Sequence, residues 1–246
     1  MVERAAGGRR ADGRRAAELR SIRLVPGFLP PAEGSVLIEM GATRVVCTAT
    51  VRDDVPPFLR GRGRGWVTAE YGMLPRSAGE RIERERRGAG GRTREIERLI
   101  GRSLRAVVDM VGLGERSILV DCDVLQADGG TRTAAITGGY VALVLALERL
   151  RAAGTWPRLP LTGSVAAVSA GIVDGRVLLD LAYVEDSRAE VDLNVVMTGA
   201  GRFVEVQGTA EGKPFSKKTL DELLVMGEKA AQRLITIQKK TLGKVK

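Results

Sequence analysis

The sequence predicts a single domain of the α+β class. Its 246 residues are 44% hydrophobic and 28% charged, a composition that can build one sizeable core. Segments with strand-like patterns cluster along the chain, and segments with helical spacing interrupt them in only a few places. Because no internal repeat and no clear linker is recognisable, residues 1–246 are predicted to form one domain.

Turn residues separate the first three predicted strands. Ser35–Glu39 and Arg44–Val51 flank a turn at Gly41–Ala42, and this arrangement predicts a hairpin. A loop rich in Pro, Gly and Arg follows before the third predicted strand, Trp66–Met73. Residues 76–92 contain few apolar side chains and are therefore predicted to form a mobile loop.

Three helices are predicted. Apolar residues at helical spacing predict the first over Thr93–Val111. The second, Thr133–Arg151, is apolar on most faces and is expected at the centre of the fold. The third lies in residues 212–246, together with a basic tail, and Thr219 with Glu222 is its predicted capping box.

The remaining strands are predicted on either side of tight turns. Asp174–Gly175 is a typical two-residue hairpin turn, and a second turn is predicted at Gly199–Gly201. The strands predicted in this part of the chain are Ser117–Leu125, Gly163–Val173, Arg176–Leu181, Val191–Thr198 and Arg202–Gly208.

The chain contains no histidine, which excludes a Ser-His-Asp triad, a Cys-His dyad and His-ligated zinc. Its two cysteines, Cys47 and Cys122, lie in apolar runs and are expected to be buried, reduced thiols. No signal peptide is recognisable, so we expect a cytoplasmic protein. The longest apolar run, Ala134–Leu147, is too short to span a bilayer and is predicted to be a buried helix, so no membrane partner is expected.

Basic segments bracket an acidic middle in this chain, whose overall net charge is +9. Residues 1–23, 52–105 and 211–246 carry net charges of +4, +6 and +5, whereas residues 24–51 carry −1 and residues 106–210 carry −5. This distribution favours a polyanionic partner, such as RNA or DNA, although a solvated basic surface is the simpler alternative. With only 4% aromatic residues, recognition of a nucleic acid is expected to act mainly through the phosphate backbone.

The motif DGGTRT, Asp128–Thr133, joins a predicted strand to a predicted helix. Its glycines permit close approach of the backbone, and the helix start supplies free N–H groups. With the hydroxyls of Thr131 and Thr133 and the guanidinium of Arg132, this turn is predicted to bind phosphate or sulfate, with an ordinary capped turn as the alternative. Arg92 opens the preceding predicted helix and is placed to reach the same anion. No Walker loop or GxGxxG fingerprint is present.

Five carboxylates occur within the thirteen residues that end at Asp192. Such a group suits an oxygen-ligated Mg²⁺ or Mn²⁺ ion, and the candidate ligands are Asp180, Asp186 and Asp192. One of these carboxyl groups could instead serve as a general acid for a leaving oxygen. A solvated acidic turn fits the pattern equally well.

Long motifs, in the correct order over nearly the whole chain, resemble the ribonuclease PH family. They are ADGR at 11–14, VPPFLRGRGRGWVTAEYGMLPR at 55–76, GRTREIERLIGRSLRAVVD at 91–109, QADGGTRTAAITGG at 126–139, LDLAYVEDSRAEVDLNVVMT at 179–198 and TGAGRFVEVQGTAE at 198–211. The resemblance implies a β-α-β fold like the second domain of ribosomal protein S5, with mixed sheets and a few packed helices. It also implies a homohexameric ring, a trimer of dimers.

The same resemblance implies a phosphate-dependent 3′-to-5′ exoribonuclease, a tRNA nucleotidyltransferase, that trims the 3′ end of precursor tRNA and releases nucleoside diphosphates. The reverse reaction adds nucleotides, and rRNA and other structured RNA 3′ ends are further expected substrates. The implied phosphate ligands are Arg92, Gly130, Thr131 and Arg132. The implied metal-binding and acid carboxylates are Asp186 and Asp192, with Asp180 as a third candidate.

Arginines within the Arg-rich loops of residues 60–94 are expected to hold RNA through its phosphates. They are Arg60, Arg62, Arg64, Arg76, Arg86 and Arg87. Subunit contacts are the alternative role for some of them.

Two other functions are the alternatives for the whole chain. A non-catalytic RNA-binding ring subunit should lack the GGTRT turn or the paired aspartates, and a small-molecule phosphotransferase should have its own nucleotide phosphate loop.

Overall fold

The computed structural model describes residues 10–85 and 88–244 and has the α+β architecture that the sequence predicts. Its strands are β1 (Ile22–Pro26), β2 (Gly34–Met40), β3 (Thr43–Arg52), β4 (Trp66–Met73), β5 (Ser117–Gln126), β6 (Val165–Val173), β7 (Arg176–Leu179), β8 (Val191–Thr198) and β9 (Phe203–Ala210). Its α-helices are α1 (Gly91–Arg105), α2 (Met110–Leu113), α3 (Thr131–Ala152), α4 (Tyr183–Asp186) and α5 (Lys217–Leu242).

The strands form two sheets. The first has the order β1-β2-β3-β5-β4, and the second has the order β7-β6-β8-β9. All neighbours pair antiparallel except β4 and β5, which run parallel from the Trp66–Ser117 pair to the Met73–Val124 pair. Because the two parallel strands end at the same edge of the sheet, the segments that follow them start side by side.

Helix α3 lies between the two sheets and supplies the centre of the core. It contacts β2 and β3 on one side and β6 on the other, which explains why it is apolar all round. Gly138 lets it approach the first sheet closely, because an added Cβ would lie 2.7 Å from Ile38 and 2.9 Å from Cys47. Within the described residues, α3 alone has the length and composition of a membrane span, yet most of it is buried in this core.

Cys47 and Cys122 are buried and free, as predicted. They face each other in register across β3 and β5. The neighbouring thiol of Cys47 and the burial of the site raise the pKa of Cys122 well above its ordinary value. Both side chains therefore act as small apolar core residues.

Helix α1 is shorter than the sequence predicts. The apolar periodicity continues to Val111, but the helix ends at Arg105. The N–H of Asp109 donates to the carbonyl of Pro160, which takes the chain out of helical geometry. The side chain of Asp109 then accepts hydrogen bonds from the first N–H groups of α2. Tertiary hydrogen bonds thus ended a helix that local periodicity would have continued.

The start of α5 also differs from the prediction. Ser216, rather than Thr219, is the cap, and its hydroxyl accepts a hydrogen bond from the N–H of Thr219. Strand β1 and helix α4 were not predicted. Helix α4 has four residues, too few for a periodic signal, and β1 has five at the edge of its sheet.

Candidate active site

A cleft of about 600 Å³ opens beside the ends of the parallel strands β4 and β5. The predicted phosphate and metal residues that line it are Arg92, Gly130, Thr131, Arg132, Asp186 and Asp192. A larger groove of about 870 Å³, between α3 and the end of α5, contains none of these residues. The chemistry predicted from the sequence therefore converges on the smaller cleft.

The floor of the cleft is the turn between β5 and α3. Gly129 and Gly130 both have left-handed backbone conformations, with φ of +75° and +64°, which favour glycine. A Cβ on Gly129 would also lie 2.5 Å from the carbonyl oxygen of Leu181. Gly130 makes no side-chain cap, and the first turn of α3 contains no acidic residue. Its N–H groups and its positive dipole end are thus available to an anion.

The hydroxyl of Thr131 is held in place at this helix start. It lies 2.8 Å from the hydroxyl of Tyr71, on β4. Burial raises the pKa of Tyr71, while the hydrogen bond with Thr131 opposes that rise. Tyr71 therefore stays neutral and acts as a fixed hydrogen-bond partner for Thr131.

Two arginines approach the turn from α1 and α3. Arg132 Nη1 donates to Gln207 Oε1 at 2.9 Å and lies 3.5 Å from Glu95 Oε1. These contacts tether one end of the guanidinium at the cleft wall and leave other donors for a ligand. Arg92, the second residue of α1, is exposed and lines the same cleft. The pair supplies positive charge on two sides of the helix start.

Asp186 and Asp192 come from different elements and meet at the opposite wall. Asp186 is the last residue of α4, and Asp192 is the second residue of β8. Burial raises the pKa of both carboxyl groups, and the charge of Asp186 raises that of Asp192 further. The charges of Arg132 and Arg92 oppose the rise at Asp186. Two carboxylates that repel each other beside arginines suit a cation or a shared proton.

Asp180 does not reach the cleft. Its side chain is fully buried, and both of its oxygens bind Arg20, at 2.6 Å from Nη2 and 3.1 Å from Nε. The backbone N–H of Arg20 adds a third hydrogen bond, at 2.8 Å. With its oxygens committed to Arg20, Asp180 is a structural residue, contrary to its prediction as a third metal ligand. Among the described residues, no group of three or more Asp, Glu or Cys could hold a metal.

The arginines expected to bind RNA fall into two places. Arg76 is exposed in the segment after β4, two residues before Ala78, which lines the cleft. Arg60, Arg62 and Arg64 are exposed in the loop before β4. These three arginines therefore lie beyond the end of β4 that is opposite Arg76. The length of the strand, at 3.3 Å per residue, puts its two ends roughly 25 Å apart. Arg86 and Arg87 are outside the described residues.

Sequence reasoning missed several residues at this site. Tyr183, at the start of α4, is 62% exposed and lines the cleft. Asn194 also lines it, two residues after Asp192 on β8, and strand periodicity could have identified it. Ser169, on β6, carried no local signal, because only the packing of the two sheets brings it to the turn.

Comparisons with known proteins identify the family of this chain. Residues 18–147 match the 3′ exoribonuclease family, domain 1, and residues 163–230 match domain 2 of the same family. A protein named Ribonuclease PH from Syntrophomonas wolfei subsp. wolfei is 58% identical over 228 residues. That alignment covers 92% of this chain and 95% of the relative.

Solved structures with the same fold are more distant in sequence. Rice Rrp46 superposes with a TM-score of 0.77 at 20% identity, over 95% of this chain and 100% of that one. A chain of the Archaeoglobus fulgidus exosome with RNA bound to the active site gives 0.77 at 23% identity, over 93% and 92%. The two family matches and the relative that is 58% identical show that this chain belongs to the 3′ exoribonuclease family.

Proposed function

We propose that the protein is a phosphate-dependent 3′-to-5′ exoribonuclease that trims the 3′ end of precursor tRNA. The observation that carries the proposal is one cleft in which an uncapped helix start and two arginines face a pair of carboxylates. This arrangement offers one place for an attacking phosphate and another for the scissile phosphate. The relative named Ribonuclease PH supports the same reaction.

The turn and the arginines bind the attacking phosphate. The N–H groups at the start of α3 donate to its oxygens, together with the hydroxyl of Thr131. Arg132 adds charge-assisted hydrogen bonds, and Arg92 contributes positive charge from the other side. Because the uncapped helix start and the two arginines offer donors and positive charge to an anion, an already anionic nucleophile fits this site better than water does.

The reaction exchanges one P–O bond for another. An oxygen of the bound phosphate attacks the phosphorus of the last internucleotide linkage, and the bond from that phosphorus to the O3′ of the preceding nucleotide breaks. A nucleoside diphosphate leaves, and the shortened RNA retains a 3′ hydroxyl. The departing O3′ needs a proton, for which Asp186 and Asp192 are the carboxyl groups in the cleft. In the reverse reaction, a nucleoside diphosphate extends the RNA.

Asp186 and Asp192 also fit a divalent cation. Both present oxygen donors to the cleft. Burial disfavours the charged form of each carboxyl group and raises its pKa, and a metal ion beside them would offset that cost. Mg²⁺ commonly uses one or two carboxylates together with substrate phosphates. A bound Mg²⁺ or Mn²⁺ ion would neutralise charge on the scissile phosphate. Asp180 is not part of this set, because Arg20 occupies its oxygens.

The non-catalytic alternative is less well supported. Such a subunit needs neither the GGTRT turn nor the paired aspartates, whereas this chain has both in one cleft. The proposal includes a homohexameric ring, a trimer of dimers, in the cytoplasm, and further RNA substrates such as rRNA. Two similar solved chains come from archaeal exosomes, which supports assembly. Light scattering after size exclusion tests it, with six chain masses as the expected result.

The decisive experiment incubates a 3′-extended tRNA with and without inorganic phosphate and identifies the released nucleotide. We expect nucleoside diphosphates with phosphate and no release without it. Release of monophosphates in phosphate-free buffer would contradict the proposal.

Arg132→Ala, assayed in the same experiment, tests whether phosphate binds at this turn. Loss of a charge-assisted contact worth about 1.5–3 kcal/mol should raise the phosphate requirement roughly ten- to a hundredfold. The KM for tRNA should change far less. An unchanged phosphate dependence would mean that the phosphate binds elsewhere.

A further inference from the structure

We propose that Arg20 and Thr43 are positioning residues that fix the phosphate-binding conformation of the Gly129–Gly130 turn from behind. This inference rests on the proposed function, because it concerns how that phosphate site is built. Arg20 is 6% exposed, Thr43 is fully buried, and neither is among the residues that line the cleft. Each binds the backbone of the turn, so each can act on phosphate without touching it.

The two side chains hold the backbone carbonyl groups of the turn. Arg20 Nη1 donates to the carbonyl oxygen of Asp128, and Arg20 Nη2 donates to that of Gly129 at 3.4 Å. The hydroxyl of Thr43 donates to the same Gly129 oxygen at 2.7 Å and accepts from the N–H of Asp128 at 2.9 Å. Two consecutive peptide groups are thereby held by fixed donors.

Because of peptide geometry, these contacts to the carbonyl groups also orient the N–H groups of the turn. In a trans peptide, the C=O of one residue and the N–H of the next point in opposite directions, and the described residues contain no cis peptide. Holding the Gly129 carbonyl toward Arg20 and Thr43 therefore directs the N–H of Gly130 the opposite way, toward the cleft. The same relation links the Asp128 carbonyl to the N–H of Gly129. The donors are thus oriented before phosphate arrives.

Arg20 is itself held rigidly. Asp180 binds its guanidinium through both carboxylate oxygens, and the carbonyl of Asp180 accepts from Arg14 Nη1 at 2.9 Å. Asp180 has a left-handed φ of +52°, a strained conformation for a residue other than glycine. An added Cβ on Gly130 would lie 3.0 Å from Arg20 Nη2, which shows how closely the guanidinium supports the turn.

A matched pair of isosteric substitutions tests this role. Thr43→Val removes the hydroxyl that holds the turn. Thr137→Val removes a second buried hydroxyl, further along α3, which donates to the carbonyl of Ala167 at 3.2 Å and accepts from its N–H at 3.1 Å. Both variants lose the same two kinds of hydrogen bond, but only Thr43 contacts the turn. The control therefore reports the effect of a lost buried hydroxyl alone.

The readout is the affinity for inorganic phosphate, measured by calorimetry without RNA, together with the KM values for phosphate and tRNA. We expect Thr43→Val to weaken phosphate binding about three- to tenfold, as for loss of one or two hydrogen bonds, with the KM for tRNA within twofold of wild type. Thr43→Ser should restore phosphate affinity. Thr137→Val should lower thermal stability and leave phosphate affinity unchanged.

Two outcomes would overturn the proposal: wild-type phosphate affinity in Thr43→Val, or an equal loss in Thr137→Val. If Thr43→Val does not fold, Arg20→Lys serves instead. Lysine keeps the charge but cannot hold both Asp180 and two carbonyls, so the same selective loss of phosphate affinity is expected, and wild-type affinity would overturn the proposal. Failure of the proposed function is distinguishable, because it would show as phosphate-independent RNA degradation by the wild-type protein.

Discussion

Two clusters of acids and arginines lie on either side of the Gly129–Gly130 turn, and they differ in how completely their charges are paired. The cleft cluster consists of Arg92, Arg132, Asp186 and Asp192. The buried cluster consists of Arg10, Arg14, Arg20, Asp180 and Glu185. Both clusters combine arginines with carboxylates, so composition alone cannot separate them.

Both carboxylates of the buried cluster are paired with arginines, although Arg14 Nη2 has no hydrogen-bond partner there, whereas the carboxylates of the cleft cluster remain open to a ligand. Arg10 pairs with Glu185, and Arg20 pairs with Asp180, in contacts with almost no solvent exposure. Asp186 and Asp192 instead face a cleft, where a ligand can still reach them. A buried ion pair stabilises a fold only while both partners remain. Charges that face a cleft retain the capacity to bind, and we therefore propose a binding role for the cleft cluster and a supporting role for the buried one.

The largest effect is expected from substitutions that disrupt the cleft cluster without unfolding the protein. Asp186→Asn and Asp192→Asn should each lower turnover by roughly 10²–10⁴, the range for loss of acid–base catalysis. Precursor tRNA binding should remain intact or tighten slightly, because a negative charge near RNA is removed. Single-turnover trimming at increasing Mg²⁺ or Mn²⁺, alongside a binding assay, measures both.

Asp180→Asn is the matched substitution in the buried cluster. It should destabilise the fold by about 3–5 kcal/mol, because Arg20 keeps its charge and loses its partner. The cleft variants should unfold near the wild-type midpoint in urea. Full activity in both Asp186→Asn and Asp192→Asn would show that the acidic pair is only a solvated turn.

A smaller effect concerns the pH dependence of the buried cluster. Burial raises the pKa of Glu185, but hydrogen bonds from Arg10 and from the N–H of Ala182 outweigh it, so the pKa lies below its ordinary value. Its stabilisation is therefore complete above the unfolded-state pKa of about 4.3 and is lost as the pH falls through the lower folded-state pKa. Glu185→Gln should cost about 3 kcal/mol at pH 7 and progressively less below pH ~4.

Urea unfolding at pH 7 and at several pH values below 4 measures this difference. Glu83→Gln is a suitable control, because Glu83 pairs with Arg81 while its side chain is 91% exposed. The exposed pair should contribute little at any pH. A constant penalty for Glu185→Gln across the pH range would show that its charge does not stabilise the folded state.

The smallest expected effect is on the salt dependence of tRNA binding, and it concerns the exposed arginines. Replacing Arg60, Arg62 and Arg64 by Gln should flatten the slope of log affinity for tRNA against log salt by about two units. Turnover at saturating tRNA should stay near the wild-type value, because this loop lies far from the cleft. Arg76→Gln should change the slope by less than one unit, as for a single contact. Size exclusion of each variant comes first, and an unchanged slope in an assembled triple variant would remove this loop from the RNA-binding surface.

Local patterns were sufficient for most of the fold. The predicted strands Trp66–Met73 and Val191–Thr198 have the same bounds in the structure, because strand alternation and turn residues act over neighbouring positions. The GGTRT turn was also recognisable locally, since glycine conformation and a helix start both depend on adjacent residues. The end of α1 was not, because a hydrogen bond to Pro160 decides it.

Local sequence patterns predict the α+β class, the central apolar helix, and a glycine turn at a helix start in a chain that also carries a group of carboxylates. Which of these carboxylates lie beside the turn depends on the folded chain. Asp180, Asp186 and Asp192 are evenly spaced in the sequence, and nothing local distinguishes them. Arg20, 160 positions before Asp180, neutralises that residue in the core, while α4 and β8 carry the other two to the cleft. A charge becomes functional or structural according to its distant partners, because burial and pairing are properties of the folded chain.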